Sequence, residues 1–427
     1  MTKTPRLAVF YETSSASMLE VFEAARGSCR LIWVVGWSPE KPPIRALSRF
    51  GEVVDLTGMD HAQSVEHLAA VHPDGVFAFD DSPLRLAAAV AEKLALRFHS
   101  RHTALLLTDK LEQRIALAQA GVPGPEFWPV SASTDPAVLD KVIGNLAFPV
   151  VLKPRTGSGS RNTLLVEDRK ALMRSLIDAQ RRGEMMLIEE RLREAHPRDG
   201  QCFADVLMVD SLVSAGRITH FAVAGHFIPA PPFRGTGSFV PSHLSEVERK
   251  EVFEATEDAI AALGIEYGFT NTDLILTPDG PRVVEVNGRI GGQIPTLLSL
   301  AGASPLLPEA MRFAVRESDG DLALLETEHV AFCAMYQPPI DATRVVELSG
   351  LDAVAQLPGV TSIVPNRMVG DVIDWRSGTM SRLFTVYGVA KDHDHLSELY
   401  GQIQRCTVAR YDHAVSSAWR SPVPAAV

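Results

Sequence analysis

Two neighbouring strand-like stretches of the chain carry three side chains whose oxygen atoms could bind a metal ion. Glu285 and Asn287 alternate with apolar residues, so both project from the same face of one stretch. Asp273 lies in the other stretch, and a Pro-Asp-Gly turn between them could fold the two into a hairpin. Carboxylate and amide oxygens are ligands that Mg²⁺ accepts. The sequence therefore predicts a metal site at Asp273, Glu285 and Asn287, with a surface hairpin of solvated acids as the alternative.

The hairpin is followed at once by the run Asn-Gly-Arg-Ile-Gly-Gly, which brings a cation among small residues. Glycine allows the backbone to approach a ligand closely because it has no side chain to collide with it. The run therefore predicts substrate contacts at Arg289, Gly291 and Gly292.

A second group of residues suits phosphate chemistry. Lys153 is the one cation of an otherwise apolar strand-like stretch, 148–154, and a buried cation is costly unless it is paired. The loop that follows, 155–162, is rich in glycine and serine, whose backbone amides could surround phosphate oxygens. It lacks the Gly-Lys-Ser/Thr ending of a P-loop and the third glycine of a dinucleotide fold. An ordinary flexible turn would have a similar sequence, so the loop alone is weak support for phosphate binding. The neighbouring Lys153 strengthens that interpretation.

Together and in this order, these residues resemble ATP-grasp ligases, and within them the L-amino acid ligase branch. The likeness also includes Lys110 and the stretch 186–192, and it spans nearly the whole chain. It implies an ATP-grasp fold that holds the nucleotide between two lobes. It also implies that a carboxylate is joined to an amine through an acyl phosphate, with release of ADP and phosphate. The cofactors would be ATP and Mg²⁺ or Mn²⁺, and the partners a small-molecule carboxylate and an amine. Amino acids are expected among these substrates, while the acceptor could be an amino acid, a peptide or another amine.

The resemblance also implies a role for each matching residue. The nucleotide phosphates would be bound by Lys110 and Lys153 and covered by Thr156, Gly157, Ser158, Gly159 and Ser160. The adenine would be contacted by Glu189, Glu190 and the backbone of Leu192. The metal would be bound by Asp273, Glu285 and Asn287. Catalysis would depend on Arg289 and Lys153, with the arginine steadying the transferred phosphoryl group.

The chain departs from the family pattern at several positions. Asp273 replaces the usual glutamate, and Cys202 stands where an acid commonly binds ribose, which leaves Glu194 or Asp205 for that contact. The stretch 225–237 is too rich in proline and glycine for regular structure, and loops of this kind often bind ligands. In the overlapping stretch 233–241, amino acid ligases often carry a glutamate and a histidine, whereas this chain has Gly235 and Ser238. The substrate contacts predicted there are Arg234 and Ser238.

Bulk properties predict a cytoplasmic enzyme. The chain has 427 residues and a formal charge of −11, which argues against a nucleic-acid partner because such binding needs a basic surface. The sequence has no signal-peptide pattern at its start and no apolar stretch of the roughly 18 residues that a membrane span needs. Its four cysteines lack paired metal-site spacing and are expected to be reduced. A homodimer is the commonest arrangement for such enzymes.

The expected fold class is α/β and α+β, in three parts. The resemblance implies that residues 1–108 form a pre-ATP-grasp domain. Short apolar stretches at 7–11, 31–35 and 76–79 alternate with helical patterns there, which predicts a parallel sheet. Residues 109–315 form the ATP-grasp domain, and 316–427 a strand-rich C-terminal domain. Two other functions stay open: a carboxylase-type enzyme acting on bicarbonate, and a nucleotide-binding regulatory protein without turnover.

Overall fold

The chain begins with a parallel sheet in the computed structural model, which describes residues 4–11, 16–37, 44–130, 141–196, 202–320, 322–327 and 329–413. Its strands are β1 (Arg6–Phe10), β2 (Arg30–Val35), β3 (Glu52–Asp55) and β4 (Gly75–Ala78), paired in the order β3-β2-β1-β4. The helices are α1 (Met18–Ala25), α2 (Ile44–Leu47), α3 (His61–Ala70), α4 (Leu84–Leu94) and α5 (Arg101–Thr108). The predicted parallel sheet is confirmed. The short strand β3 was not predicted, because its two apolar residues are too few to form a pattern.

The first lobe of the central region is a small antiparallel sheet with a helix against it. It contains α6 (Lys110–Gln119), β5 (Phe127–Val130), β6 (Val150–Pro154), β7 (Leu164–Val166), α7 (Arg169–Arg181) and β8 (Met186–Glu190). The strands pair in the order β5-β8-β6-β7. Asp109 caps α6 by accepting hydrogen bonds from two backbone amides of its first turn. The cap fixes the start of the helix, so Lys110 lies at its first position.

The second lobe and the C-terminal region share one eight-stranded sheet. The lobe supplies β9 (Phe203–Ser214), β10 (Arg217–Phe227), β11 (Gly237–Val240), β12 (Tyr267–Thr277) and β13 (Gly280–Asn287), with α8 (Glu246–Ala262), α9 (Ile294–Leu300) and α10 (Leu306–Ala314). The C-terminal region supplies β14 (Val330–Tyr336), β16 (Val360–Pro365) and β17 (Phe384–Ala390), giving the order β13-β12-β9-β10-β11-β14-β17-β16. Strands from both sides of the predicted boundary near residue 315 therefore belong to one continuous sheet, and the division into domains stays a prediction.

The remaining C-terminal elements pack beside this sheet. They are β15 (Ala342–Ser349), α11 (Leu351–Ala355), the 3₁₀ segment Trp375–Ser381, α12 (His393–Cys406) and β18 (Val408–His413), with β15 and β18 forming a separate antiparallel pair. Across the ranges that the structure describes, none of the helices has the length and apolar character needed to cross a bilayer.

The predicted hairpin is confirmed as the pair β12 and β13. Asp273 lies directly opposite Glu285, and Asn271 opposite Asn287. Beyond this pair the register shifts, so that Leu274 faces Val283 and one residue of β13 is left over. This β-bulge was not predicted, because the simple alternation of the sequence gives no sign of it. A bulge next to a functional site redirects side chains and releases backbone groups from the ladder.

Candidate active site

The acidic residues of the hairpin meet a lysine from the first lobe. Lys110 Nζ lies 2.7 Å from Glu285 Oε1 and also donates to the carbonyl oxygen of Gly157 at 2.5 Å. The backbone amide of Lys110 donates to Arg155 at 2.9 Å. The side chains of this lysine and its glutamate are 14% and 19% exposed, so the pair is shielded yet reachable. Lys110 thus connects the strand that carries the acids to the glycine-rich loop.

The predicted metal ligands share a region of crowded negative charge. Burial, together with the neighbouring Glu285 carboxylate, raises the pKa of Asp273 to about 7. Burial acts in the same direction on Glu285, but the Lys110 and Lys153 cations hold the pKa of this carboxyl below its usual value. Neighbouring carboxyl groups whose pKa values are shifted in opposite directions by burial and nearby charges mark a candidate functional site.

The donor set fits a hard cation. Asn287 donates its side-chain amide to the carbonyl oxygen of Asn271 at 3.3 Å, which leaves its Oδ1 as an acceptor. Within the described residues, no three His, Cys, Asp or Glu side chains are arranged to bind one ion. A metal here would therefore have two carboxylates and one amide, with the rest of its shell from water and phosphate, as Mg²⁺ prefers.

Arg289 lies beside the same acids and is paired with the N-terminal sheet. Its Nη2 lies 3.2 Å from Asp81 Oδ2, and each of the two side chains is 15% exposed. Asp81 follows β4, at the carboxyl end of a parallel strand, where ligands of α/β folds commonly bind. The ion pair therefore holds the guanidinium at the junction between the N-terminal sheet and the second lobe.

The glycines after Arg289 have different environments. A side chain at Gly291 would collide with Asp210, whose Oδ1 accepts a hydrogen bond of 2.6 Å from the Gly291 amide. A side chain at Gly292 would meet no atom within 4 Å. The small size of Gly291 is thus required by packing inside the protein, and only Gly292 has open space beside it. Substrate contact at either glycine stays a prediction.

A buried ion network lies beneath the glycine-rich loop. Glu189 Oε2 lies 2.7 Å from Lys153 Nζ, and its Oε1 lies 2.7 Å from Arg114 Nε. Burial alone would raise the pKa of Glu189, but these two cations hold it below its usual value. Arg114 also donates to the carbonyl oxygens of Val283 and Val284, which lie at the bulge of β13. One carboxylate therefore orients the predicted phosphate-binding lysine and ties the first lobe to the metal-site hairpin.

The predicted adenine residues occupy the end of β8 and the turn after it. The Glu189 carboxylate faces Lys153, whereas Glu190 Oε2 accepts a hydrogen bond of 3.1 Å from the amide of Glu126. Leu192 is buried just beyond the strand. Their contact with adenine stays a prediction.

Replacement of Glu189 by glutamine is expected to lower the free energy of unfolding by about 3–5 kcal/mol. The change leaves Arg114 and Lys153 buried without a compensating charge, and both side chains are less than a tenth exposed. Urea unfolding followed by circular dichroism measures the effect, with Glu190→Gln as the matched control on the same strand. Equal free energies of unfolding for the two variants would contradict the role of Glu189 as the charge partner of Arg114 and Lys153.

The glycine-rich loop is docked onto the C-terminal 3₁₀ segment. Thr379 donates its backbone amide to the carbonyl oxygen of Gly159 at 2.9 Å, and Asn162 donates to that of Arg376 at 3.0 Å. Gly378 adopts φ 62° and ψ −134°, and a side chain there would lie 2.1 Å from the Gly159 carbonyl oxygen. The stretch 156–159 is exposed. The loop therefore leaves its outer surface free while its far side rests on the C-terminal region.

The same segment holds the proline-rich loop. Gly235 donates its amide to Thr379 Oγ1 at 3.0 Å, and Gln337 donates to the carbonyl oxygens of both residues at 2.7 and 3.1 Å. Arg234 is buried and donates to the Pro231 carbonyl oxygen at 2.8 Å and to Ser381 Oγ at 3.4 Å. Because this guanidinium already has partners in the protein, the structure gives no support to its predicted pairing with a substrate carboxylate, which stays a prediction.

The proline-rich stretch is more regular than the sequence suggested. Strand β10 continues through Phe227, β11 begins at Gly237, and Ala230 forms an isolated bridge with Arg234. Ser238 lies on β11, buried, with its Oγ 3.5 Å from Cys333 Sγ. The prediction of an irregular segment over the whole of 225–237 is therefore wrong at both ends, because pairing with neighbouring strands overrides local proline and glycine content.

Sequence reasoning missed Arg114 and Asp81. Arg114 lies four residues after Lys110, so the two share one face of α6, and this spacing could have identified it. Asp81 could have been noticed as an acid at the carboxyl end of β4. The docking segment Trp375–Ser381 has no comparable local signal.

Comparison with known proteins matches residues 107–293 to the ATP-grasp domain family. The chain is 28% identical over 263 residues to protein y4rH of Sinorhizobium fredii, covering 60% of this chain and 51% of that protein. It is 22% identical over 323 residues to the L-arginine-specific L-amino acid ligase of Bacillus subtilis, covering 71% and 72%. The crystal structure of L-amino acid ligase from Bacillus licheniformis aligns with a TM-score of 0.76 and 19% identity, covering 97% of this chain and 100% of that one.

Residues 107–293 are therefore an ATP-grasp domain, and the predicted ATP-grasp fold is confirmed. The predicted likeness to L-amino acid ligases is confirmed by a relative and by a solved structure of that name. The chain spans 51% of the first relative and 72% of the second.

Proposed function

We propose that this chain is an ATP-dependent ligase that joins a small-molecule carboxylate to an amine and releases ADP and phosphate. The observation that carries the proposal is the meeting of Lys110, Glu285 and Arg289 with Asp273 at the junction of two ATP-grasp lobes. Binding alone would not require a metal-binding pair of acids beside both a lysine and an arginine. The likeness to named L-amino acid ligases supports an amino acid as one substrate.

The residues act by binding and charge neutralisation. Lys110 and Lys153 donate to the nucleotide phosphates, with Glu189 orienting the second lysine. The loop from Thr156 to Ser160 covers the phosphates, and the end of β8 with the turn after it, Glu189 to Leu192, contacts the adenine. Asp273, Glu285 and Asn287 bind Mg²⁺, or Mn²⁺ in its place. When bound, the metal supplies positive charge to the phosphate oxygens.

The reaction proceeds in two steps without a covalent enzyme intermediate. A carboxylate oxygen attacks the γ-phosphorus of ATP, the bond to the bridging oxygen breaks, and ADP leaves. The amine then attacks the acyl carbon, loses a proton and displaces phosphate. Arg289 donates to the phosphoryl oxygens through its planar fork, which is suited to tetrahedral and carboxylate oxyanions.

A substrate screen tests the proposal. Pooled carboxylates and amines are incubated with MgATP, phosphate release is measured, and mass spectrometry detects an amide product. We expect phosphate in equal amount to the amide. Turnover that depends on bicarbonate alone would favour a carboxylase, and tight MgATP binding without any turnover would favour a regulatory protein.

A further inference from the structure

Two arginines of the C-terminal region lie together without an acidic partner. Arg367 follows β16, and its backbone amide donates to the carbonyl oxygen of Leu383 at 2.9 Å, next to Arg382. The Nε atoms of both arginines are buried and have no hydrogen-bond partner. The basic side chains that form ion pairs in the described part of the C-terminal region are those of Arg376, Lys391, Arg410 and His413, and they include neither Arg367 nor Arg382. The structure therefore brings two cations together and supplies no anion.

The surroundings of Arg382 do not neutralise its charge. Its Nη1 donates to the Thr379 carbonyl oxygen at 3.4 Å and to Met380 Sδ at 3.0 Å, and both acceptors are uncharged. Burial has the largest effect on the pKa of Arg382 and lowers it; Tyr387 and Cys333 act in the opposite direction, and the nearby Arg367 lowers it further. Like charges held together in a half-buried position are costly unless an anion binds between them.

This pair is connected to the active site through Tyr387. Tyr387 lies opposite Cys333 in the sheet, Cys333 lies opposite Ser238, and both Tyr387 and Cys333 interact electrostatically with Arg382. The Tyr387 hydroxyl donates to Gln293 Oε1. Gln293 immediately precedes α9, the helix that begins just after the Arg289 run. Gln293 and Tyr387 thus connect the segment after Arg289 to Arg382 and its neighbour Arg367.

We propose that Arg367 and Arg382 together bind the carboxylate of an amino acid that serves as the amine substrate. This rests on the function proposed above. The reacting carboxylate must lie beside Arg289 and the metal ligands, so a second carboxylate beyond Tyr387 belongs to the other substrate. Two guanidinium forks match a carboxylate through paired charge-assisted hydrogen bonds.

The test compares amines that differ only in this carboxylate. The wild type is assayed with L-alanine and L-alaninamide, and with each other amino acid accepted in the screen and its carboxamide. We expect the wild type to prefer the free acid in kcat/KM. Arg382→Gln and Arg367→Gln should each raise KM for the acid by about tenfold or more, while kcat and the KM for the carboxamide stay within about twofold.

Two further variants sharpen the comparison. Arg382→Lys keeps the charge and should recover part of the affinity for the acid. Arg410→Gln changes an arginine of the same region whose side chain is 74% exposed, and it should behave as the wild type. Equal loss for acid and carboxamide, or no preference in the wild type, would overturn the proposal.

A binding measurement separates this proposal from the proposed function. If no amine supports turnover, isothermal titration calorimetry measures the affinity of the protein for the same amino acids and carboxamides in the presence of MgADP. This measurement tests the arginine site without turnover. Acid-selective binding that is lost in Arg382→Gln supports the arginine site even then. Absence of such binding rejects it.

Discussion

Replacement of Glu285 by glutamine is expected to lower kcat by about three orders of magnitude, while the dissociation constant of ADP changes by less than about tenfold. Glutamine has nearly the same shape but no charge, so it weakens metal binding and the salt bridge to Lys110. The contacts of Lys153 and of the adenine turn remain. Steady-state kinetics across a range of Mg²⁺ concentrations, together with calorimetric ADP binding, measures both effects.

The matched control lies at the tip of the same hairpin. Asp279 is an acid whose side chain is 82% exposed, and Asp279→Asn should keep the wild-type kcat. A Glu285→Gln variant with wild-type kcat and wild-type Mg²⁺ dependence would exclude Glu285 from the metal site.

Replacement of Gly378 by alanine is expected to lower kcat/KM for ATP by about 10–100-fold. The backbone at this position has φ 62° and ψ −134°, and an added side chain would lie 2.1 Å from the Gly159 carbonyl oxygen. The glycine-rich loop must then leave the 3₁₀ segment, so it no longer covers the phosphates in a fixed position. Most of the effect should fall on the KM for ATP.

Gly370→Ala controls for backbone strain alone. Gly370 also has a positive φ, 97°, but a side chain there would meet nothing within 4 Å. Hydrogen exchange measured without nucleotide gives a readout that does not depend on activity. In Gly378→Ala the amides of Asn162 and Thr379 should exchange faster, and in Gly370→Ala they should not. Unchanged exchange and an unchanged KM in Gly378→Ala would show that the docking contact has no part in nucleotide binding.

The parts of the site that lie within one continuous segment of the chain could be predicted from the sequence. Alternation and a short turn predicted the hairpin that places Asp273 opposite Glu285. An isolated cation in an apolar strand predicted that Lys153 would need a partner, although not which one. These features are local, so periodicity and residue type are enough to indicate them.

The rest depends on contacts between distant segments. Glu189 lies between Lys153 and Arg114 because three elements of the first lobe pack together, and no local pattern encodes that meeting. The bulge in β13 is stabilised by Arg114, and Gly378 is needed only because the loop near Gly159 lies against it. Such constraints arise from tertiary packing, which a single sequence does not reveal.

The most direct test of the central claim follows an oxygen atom. The carboxylate substrate found in the screen is labelled with ¹⁸O in its carboxyl group and converted with MgATP, and the phosphorus products are analysed by ³¹P NMR and mass spectrometry. Formation of an acyl phosphate predicts ADP and inorganic phosphate that carries one ¹⁸O from the carboxylate. Appearance of the label in AMP, with release of pyrophosphate, would contradict phosphoryl transfer at this site.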